Sequence, residues 1–306
     1  MPQDASAPSP RNQAVEALRI LAAFLIVWFH SDVWGSPWAY AGLSVFIILT
    51  LQFAFGQNYD RHRSVRGLVK SLLIPWAFWF ALYEAIYLAV GRPFLVHYDN
   101  ALSWLLAGSQ IHLWYLPFIF LVLLLSGAVK RFVSHEAIFV GATVLSLLVL
   151  ATIPIWRPWS LAAGAPLTQY CQAVSPVLLG IVIGLRSRVR FGWLGLAIVL
   201  GALVVAGFMQ PDPLSLAWPH LIGAALVLTA TAWPARAGHS SVERVARYML
   251  GVYLIHPLLI ILAPATLFAA GPFAALVIFA TSLALVVLLE AFRTRVAKSM
   301  PSVVTS

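Results

Sequence analysis

The chain is poor in charge. Only 9% of its 306 residues are Asp, Glu, Lys or Arg, and the acidic ones number 10. A soluble domain carries roughly 25% charged residues, so a water-facing surface of ordinary polarity is excluded and lipid becomes the main solvent. Cysteine is nearly absent: the single Cys171 rules out an intrachain disulfide and any Cys-rich metal site. No long polar linker interrupts the apolar runs, so nothing divides the chain into two domains. There is no HExxH-like pair, and no two histidines share a helical run at ligand spacing, so no metal is expected.

What is present is apolar residue, 61% of the chain. It is gathered in runs of about 20, the length that crosses a ~30 Å hydrocarbon core. Runs near 14–33, 38–56, 71–90, 112–129, 137–155, 169–185, 191–209, 216–233, 246–263 and 271–290 predict ten transmembrane helices. Pro117, Pro176 and Pro257 fall inside three of them. Neighbouring helices can satisfy the carbonyls that each proline frees. Ala39-Tyr40-Ala41 resembles a signal-peptide cleavage site, but Arg19 inside the first run and the aromatic stretch before Ala39 argue against one.

The net charge of +9 suggests nucleic acid until the charges are placed. Loops after the even-numbered runs carry Arg61, Arg63, Arg66, Lys70, Lys130, Arg131, Arg186, Arg188, Arg190, Arg236, Arg244 and Arg247. The tails add Arg11, Arg293, Arg295 and Lys298. That is sixteen, against Arg92 and Arg157 after the odd runs, with Arg19 left inside the first. Positive charge collects on the cytoplasmic side of membrane proteins. The expected fold is therefore an all-α, polytopic transmembrane helix bundle of about ten spans, N-in and C-in. A disordered cytoplasmic tail at 1–13 and a second tail at 293–306 flank one membrane domain at 14–292. No nucleic-acid partner is expected.

Ionisable residues inside a span are costly and default to functional candidates. Arg19 and His30 lie eleven residues apart, three helical turns plus about 20°, on one face and about 16 Å apart along the axis. A functional stripe fits this pattern. So does an Arg19 that snorkels toward headgroups, paired with Glu16, while His30 caps the outer terminus. Arg63, Arg66 and Lys70, with Arg61 close by, fall within about 60° of one helical face. Guanidinium forks suit the phosphates of coenzyme A or a nucleotide, although charge alone favours an orienting and lipid-binding role. Glu84, between Tyr83 and Tyr87 in the third run, needs a partner or a wet cavity. His112, Trp114, Tyr115, His220, Asp32, His97 and Asp99 gather toward the outer side, and His256 reads as a packing residue.

Together these segments resemble the family-3 membrane acyltransferases, which acylate surface carbohydrates. That family has an Arg or Lys and a His in its first span with ten residues between them, as Arg19 and His30 have. It has an Arg-x-x-Arg element before its third span, matched by Arg63-Ser64-Val65-Arg66. Lys70-Ser71-Leu72-Leu73-Ile74-Pro75, His112-Leu113-Trp114-Tyr115-Leu116-Pro117 and Gly251-Val252-Tyr253-Leu254-Ile255-His256-Pro257 are similar to further family elements. The second span departs from the pattern. Gly42-Leu43-Ser44-Val45-Phe46 lacks the acidic residue often found there, and Thr50-Leu51-Gln52-Phe53 stands in place of Ser-Gly-Phe. In the fourth, Pro117 and Phe118 stand where many members have a Glu.

The resemblance implies an O-acyltransferase of the bacterial plasma (inner) membrane, carrying an acyl group, most simply acetyl, from cytoplasmic acyl-CoA to a carbohydrate or lipid-linked sugar. It implies His30, Arg19 and Glu84 as catalytic, with Glu84 orienting His30. Arg61, Arg63, Arg66 and Lys70 would bind acyl-CoA, and Trp114, Tyr115, His112 and His220 the acceptor. No cofactor is permanently bound. The partners are acyl-CoA, the acceptor and membrane lipids, with a homo-oligomer left open. A carbohydrate or lipid transporter or flippase would explain the aromatics and intramembrane charges equally well.

Overall fold

The computed structural model describes residues 12–61, 63–95, 98, 100–210, 217–234, 241–268 and 271–299. The terminal segments 1–11 and 300–306, with His97, Asp99 and Arg236, lie outside the described residues. Every described element is helical. Eleven helices carry the fold: α1 Gln13–His30, α2 Ala41–Phe55, α3 Ile74–Ala89, α4 Tyr115–Phe132, α5 His135–Ala151, α6 Ile153–Ala163, α7 Leu167–Leu185, α8 Gly192–Met209, α9 Ala217–Ala232, α10 Met249–Leu262 and α11 Pro272–Ser299.

Each of the ten apolar runs holds a helix, and the all-α membrane bundle stands. Among the described residues, seven helical stretches are long and apolar enough to cross a membrane, or eight if α5 and α6 form one bent span. That pair bends by 76°, because Pro154 cannot continue the α5 ladder across Thr152. α9 and α10 are shorter apolar helices. At 1.5 Å per residue, the 14 residues of α10 reach about 21 Å against a core of about 30 Å. At the C-terminal end α11 runs on to Ser299, so residues 293–299 are helical. An Arg293–Glu290 pair at 2.7 Å supports that last stretch.

The chain divides into two compact units. The first comprises residues 1–42 and 229–306. Here α1 packs on α10, α11 and the short helix Ser241–Ala246. Asn12 caps α1 by accepting from the Ala14 and Val15 N–H groups, and its Nδ2 donates to the carbonyls of Ala230 and Trp233. Phe24 meets Phe279 edge-on with centroids 5.4 Å apart. α10 and α11 touch through Gly251, where a Cβ would come within 2.7 Å of Val286.

The second unit, residues 43–228, contains α3 to α8 and most of α2 and α9. A close seam runs along Gly180-x-x-x-Gly184 on α7 against α2. A Cβ at Gly180 would lie 2.7 Å from Leu51 Cβ and 2.9 Å from the Ile48 carbonyl oxygen. In lipid there is little hydrophobic drive between helices, so close backbone approach through small residues supplies the packing. Outward-facing Phe78, Leu88, Leu125, Leu145 and Phe208 are exposed, as a surface wetted by acyl chains permits.

Candidate active site

In the first unit, His30 ends α1 and its ring lies 5.3 Å from that of His256, centroid to centroid, tilted by 42°. The sequence placed Arg19 on the His30 stripe, and α1 is one uninterrupted helix between them. Arg19 is partly exposed and its Nη1 donates to Glu16 Oε2 at 2.9 Å. This is the pairing that a snorkelling arginine would make. Such a half-solvated pair is worth at most about 1 kcal/mol, so it does not bar the guanidinium from a second anion.

His256 was read from the sequence as packing, and it is fully buried. Yet its Nδ1 lies 2.8 Å from the Tyr253 carbonyl oxygen. Pro257 has no N–H, so the helical partner of Tyr253 O is missing, and the His256 imidazole supplies the donor instead. The signal was present as the His256-Pro257 dipeptide. What a sequence could not supply was the ring beside it.

In the second unit the cations fall into two groups. Lys130 Nζ donates to the carbonyls of Ala54 and Tyr59 at 3.1 and 3.0 Å, and Arg188 to that of Gly56 at 3.0 Å. Arg186 donates to Ile183 O. These side chains close helix C-termini, where the last carbonyls lack partners. Lys130 and Arg188 also flank the Tyr59 ring at 5.3 and 5.2 Å. Arg61, Arg63, Arg66 and Lys70, in contrast, are exposed. Among the described residues none of these four makes an ion pair or a side-chain hydrogen bond.

Their geometry differs from the single helical face read from the sequence. Arg63 lies before the helix, which Ser64 caps by accepting from Gly67 N–H at Val65–Leu68. A π-turn follows at Val69–Leu73, where Ile74 N–H reaches back to Val69 O. Pro75, unable to donate and crowding the carbonyl four residues back, accounts for the shifted ladder. Only Arg66 and Lys70 are therefore helical, and Arg63 precedes the cap.

Toward the other end of this unit, Glu84 is 3% exposed. Its Oε2 accepts from the Leu95 N–H at 3.1 Å, while Oε1 has no partner among the described residues. His112 sits in a 3-10 turn, Ile111–Trp114, with its ring edge-on to Tyr83 at 5.5 Å. Trp114 is buried against Phe118 and Tyr170, with Tyr115 edge-on to it at 6.2 Å. It is no lipid-facing belt residue, unlike Trp34 and Trp159, which are exposed. His220 Nδ1 is 2.8 Å from Ser44 Oγ, both buried, and the same ring bonds the Gln172 main chain. The first turns of α7 thus serve both groups, with Tyr170 against Trp114 and Gln172 against His220. In the segment between α3 and α4, where it meets Trp104, burial pushes the Tyr98 hydroxyl up to about 12.

The first unit carries paired intramembrane imidazoles and the second an uncommitted basic segment, each on membrane-length helices. The family-3 acyltransferase model, described as an acyltransferase domain, matches residues 12–291. The chain belongs to the family-3 acyltransferases. No curated protein and no solved structure matches significantly. The match takes in nearly all of both units, so a family-3 acyltransferase is built from α1 to α11 together. The protein is a membrane acyltransferase.

Proposed function

We propose that this acyltransferase takes an acyl group, acetyl in the simplest case, from cytoplasmic acyl-CoA and places it on a hydroxyl of a carbohydrate or lipid-linked sugar at the outer face of a bacterial plasma membrane. The observation that carries the donor half is the contrast among the cations. Lys130, Arg186 and Arg188 are occupied by carbonyls, whereas Arg61, Arg63, Arg66 and Lys70 are exposed and uncommitted. A ligand with several phosphates needs fixed cations to replace its hydration. The sixteen-to-two charge asymmetry supports an N-in, C-in orientation in which those four residues face the cytoplasm.

For the chemistry, His30 acts as general base. The acceptor hydroxyl gives its proton to the imidazole as its oxygen attacks the thioester carbonyl. The C–O bond forms, the C–S bond breaks, and the proton ends on the departing CoA thiolate. Arg19 provides a cation for the donor or the developing oxyanion. The aromatic group of Trp114, Tyr115 and His112, with His220 of α9, shapes the acceptor side. Isothermal calorimetry of acetyl-CoA with the purified protein tests the donor half. Saturable binding that is lost in Arg63→Ala/Arg66→Ala supports the reading, and an absence of binding to the unaltered protein contradicts it.

A further inference from the structure

The His256-Pro257 dipeptide does more than bend a helix. Proline at 257 leaves the Tyr253 carbonyl without its helical N–H. His256 Nδ1 stands 2.8 Å from that oxygen and 3.3 Å from the Val252 carbonyl oxygen. Carbonyl oxygens only accept, so Nδ1 carries the hydrogen and the lone pair is on Nε2. One tautomer is therefore fixed by the backbone of α10 itself. The ring so fixed is fully buried and packs against one ring from α1, that of His30, at 5.3 Å. α10 is in turn held on α11 at Gly251, where only a glycine fits against Val286.

We propose that His256 is a positioning residue for His30: its backbone-locked ring sets the orientation of the His30 imidazole and, through the Nε2 lone pair, steadies the imidazolium that His30 becomes during transfer. The inference rests on His30 as the base of acyl transfer. During the step, the acceptor O–H proton passes to His30 and leaves on the CoA thiolate, while His256 neither gains nor loses one. A tautomer-fixing group behind a working imidazole is the arrangement that orients many functional histidines.

The test compares His256→Asn and His256→Gln, each purified in lipid nanodiscs. Asn can still donate to Tyr253 O from the δ position but has no atom at the ε position. The longer Gln can place its amide oxygen there. Release of CoA thiol from acetyl-CoA gives kcat and KM, thermal unfolding gives stability, and mass spectrometry of diethyl pyrocarbonate labelling reads His30 reactivity. We expect His256→Asn to lower kcat by roughly 10- to 100-fold, the range for residues that orient a functional imidazole, with KM for acetyl-CoA unchanged. His256→Gln should recover part of kcat. His30 labelling should change severalfold in His256→Asn while labelling of the partly exposed His135 does not. The proposal is overturned if kcat in both variants equals wild type or merely follows the unfolding temperature, or if His30 labelling is unaffected. A wild type that releases no thiol would contradict the acyl-CoA reading instead, and the labelling arm would still decide the role of His256.

Discussion

Ser44 Oγ and His220 Nδ1 form a buried hydrogen bond 2.8 Å long between the first turns of α2 and α9. Ser44 lies in Gly42-Leu43-Ser44-Val45-Phe46, the second-span segment that lacks an acidic residue. A neutral hydroxyl there leaves His220 a hydrogen-bond partner without adding a buried charge, which would be far more expensive. Ser44→Ala leaves a ring nitrogen unsatisfied, a loss of about 1–3 kcal/mol. The unfolding temperature in detergent should fall measurably, whereas Ser44→Thr should restore part of it. An unchanged midpoint in Ser44→Ala would mean that the bond carries no stability.

A packing prediction concerns the α2–α7 seam. Gly180→Ala drives a Cβ into Leu51 and the Ile48 carbonyl, and overpacking of this kind costs about 1–3 kcal/mol. At Gly201 on α8 a Cβ meets nothing within 4 Å, so Gly201→Ala should be neutral or stabilising, by at most about 1 kcal/mol. Thermal unfolding of the two variants side by side checks the pair. Equal midpoints would contradict close contact at the seam.

Much of the fold was legible because lipid leaves a strong mark on composition. Each apolar run holds a helix, and Pro117, Pro176 and Pro257 lie inside continuous ones. The bend after Ala151 and the π-turn at Val69–Leu73 were not anticipated. Both depend on how a proline disturbs one particular hydrogen-bond ladder, which hydropathy does not register. The relative placement of candidate residues was legible where they share a helix, as Arg19 and His30 do. It was hidden where the partner is distant in the chain: nothing local marks His256 as the neighbour of His30, or Ser44 as that of His220.

Topology offers an independent check. Reporter fusions at Ser64, Lys130, Arg188 and Ser241 should read cytoplasmic, and fusions at Gly164 and Asp212 extracytoplasmic, because of the charge asymmetry. The shorter α9 and α10 are the elements most exposed to this test. A reversal at Ser241 relative to Arg188 would remove α9 from the spans.

The donor segment yields a graded expectation. Arg63→Ala/Arg66→Ala should weaken acetyl-CoA binding more than tenfold, since each lost charge-assisted hydrogen bond costs about 1.5–3 kcal/mol. Arg188→Ala, which removes a bond to the Gly56 carbonyl, should lower stability and leave affinity nearly unchanged. Calorimetry and unfolding on both proteins separate the two effects, and equal loss of affinity in both would erase the distinction between occupied and uncommitted cations.

The most direct test of the central claim is acyl transfer in reconstituted membranes by His30→Ala, with expression, unfolding temperature and acetyl-CoA affinity measured on the same preparation. If His30 is the base, turnover falls by roughly 10²–10⁴-fold while folding and donor affinity stay near wild type. A well-folded His30→Ala protein that transfers acyl groups at the wild-type rate would contradict it.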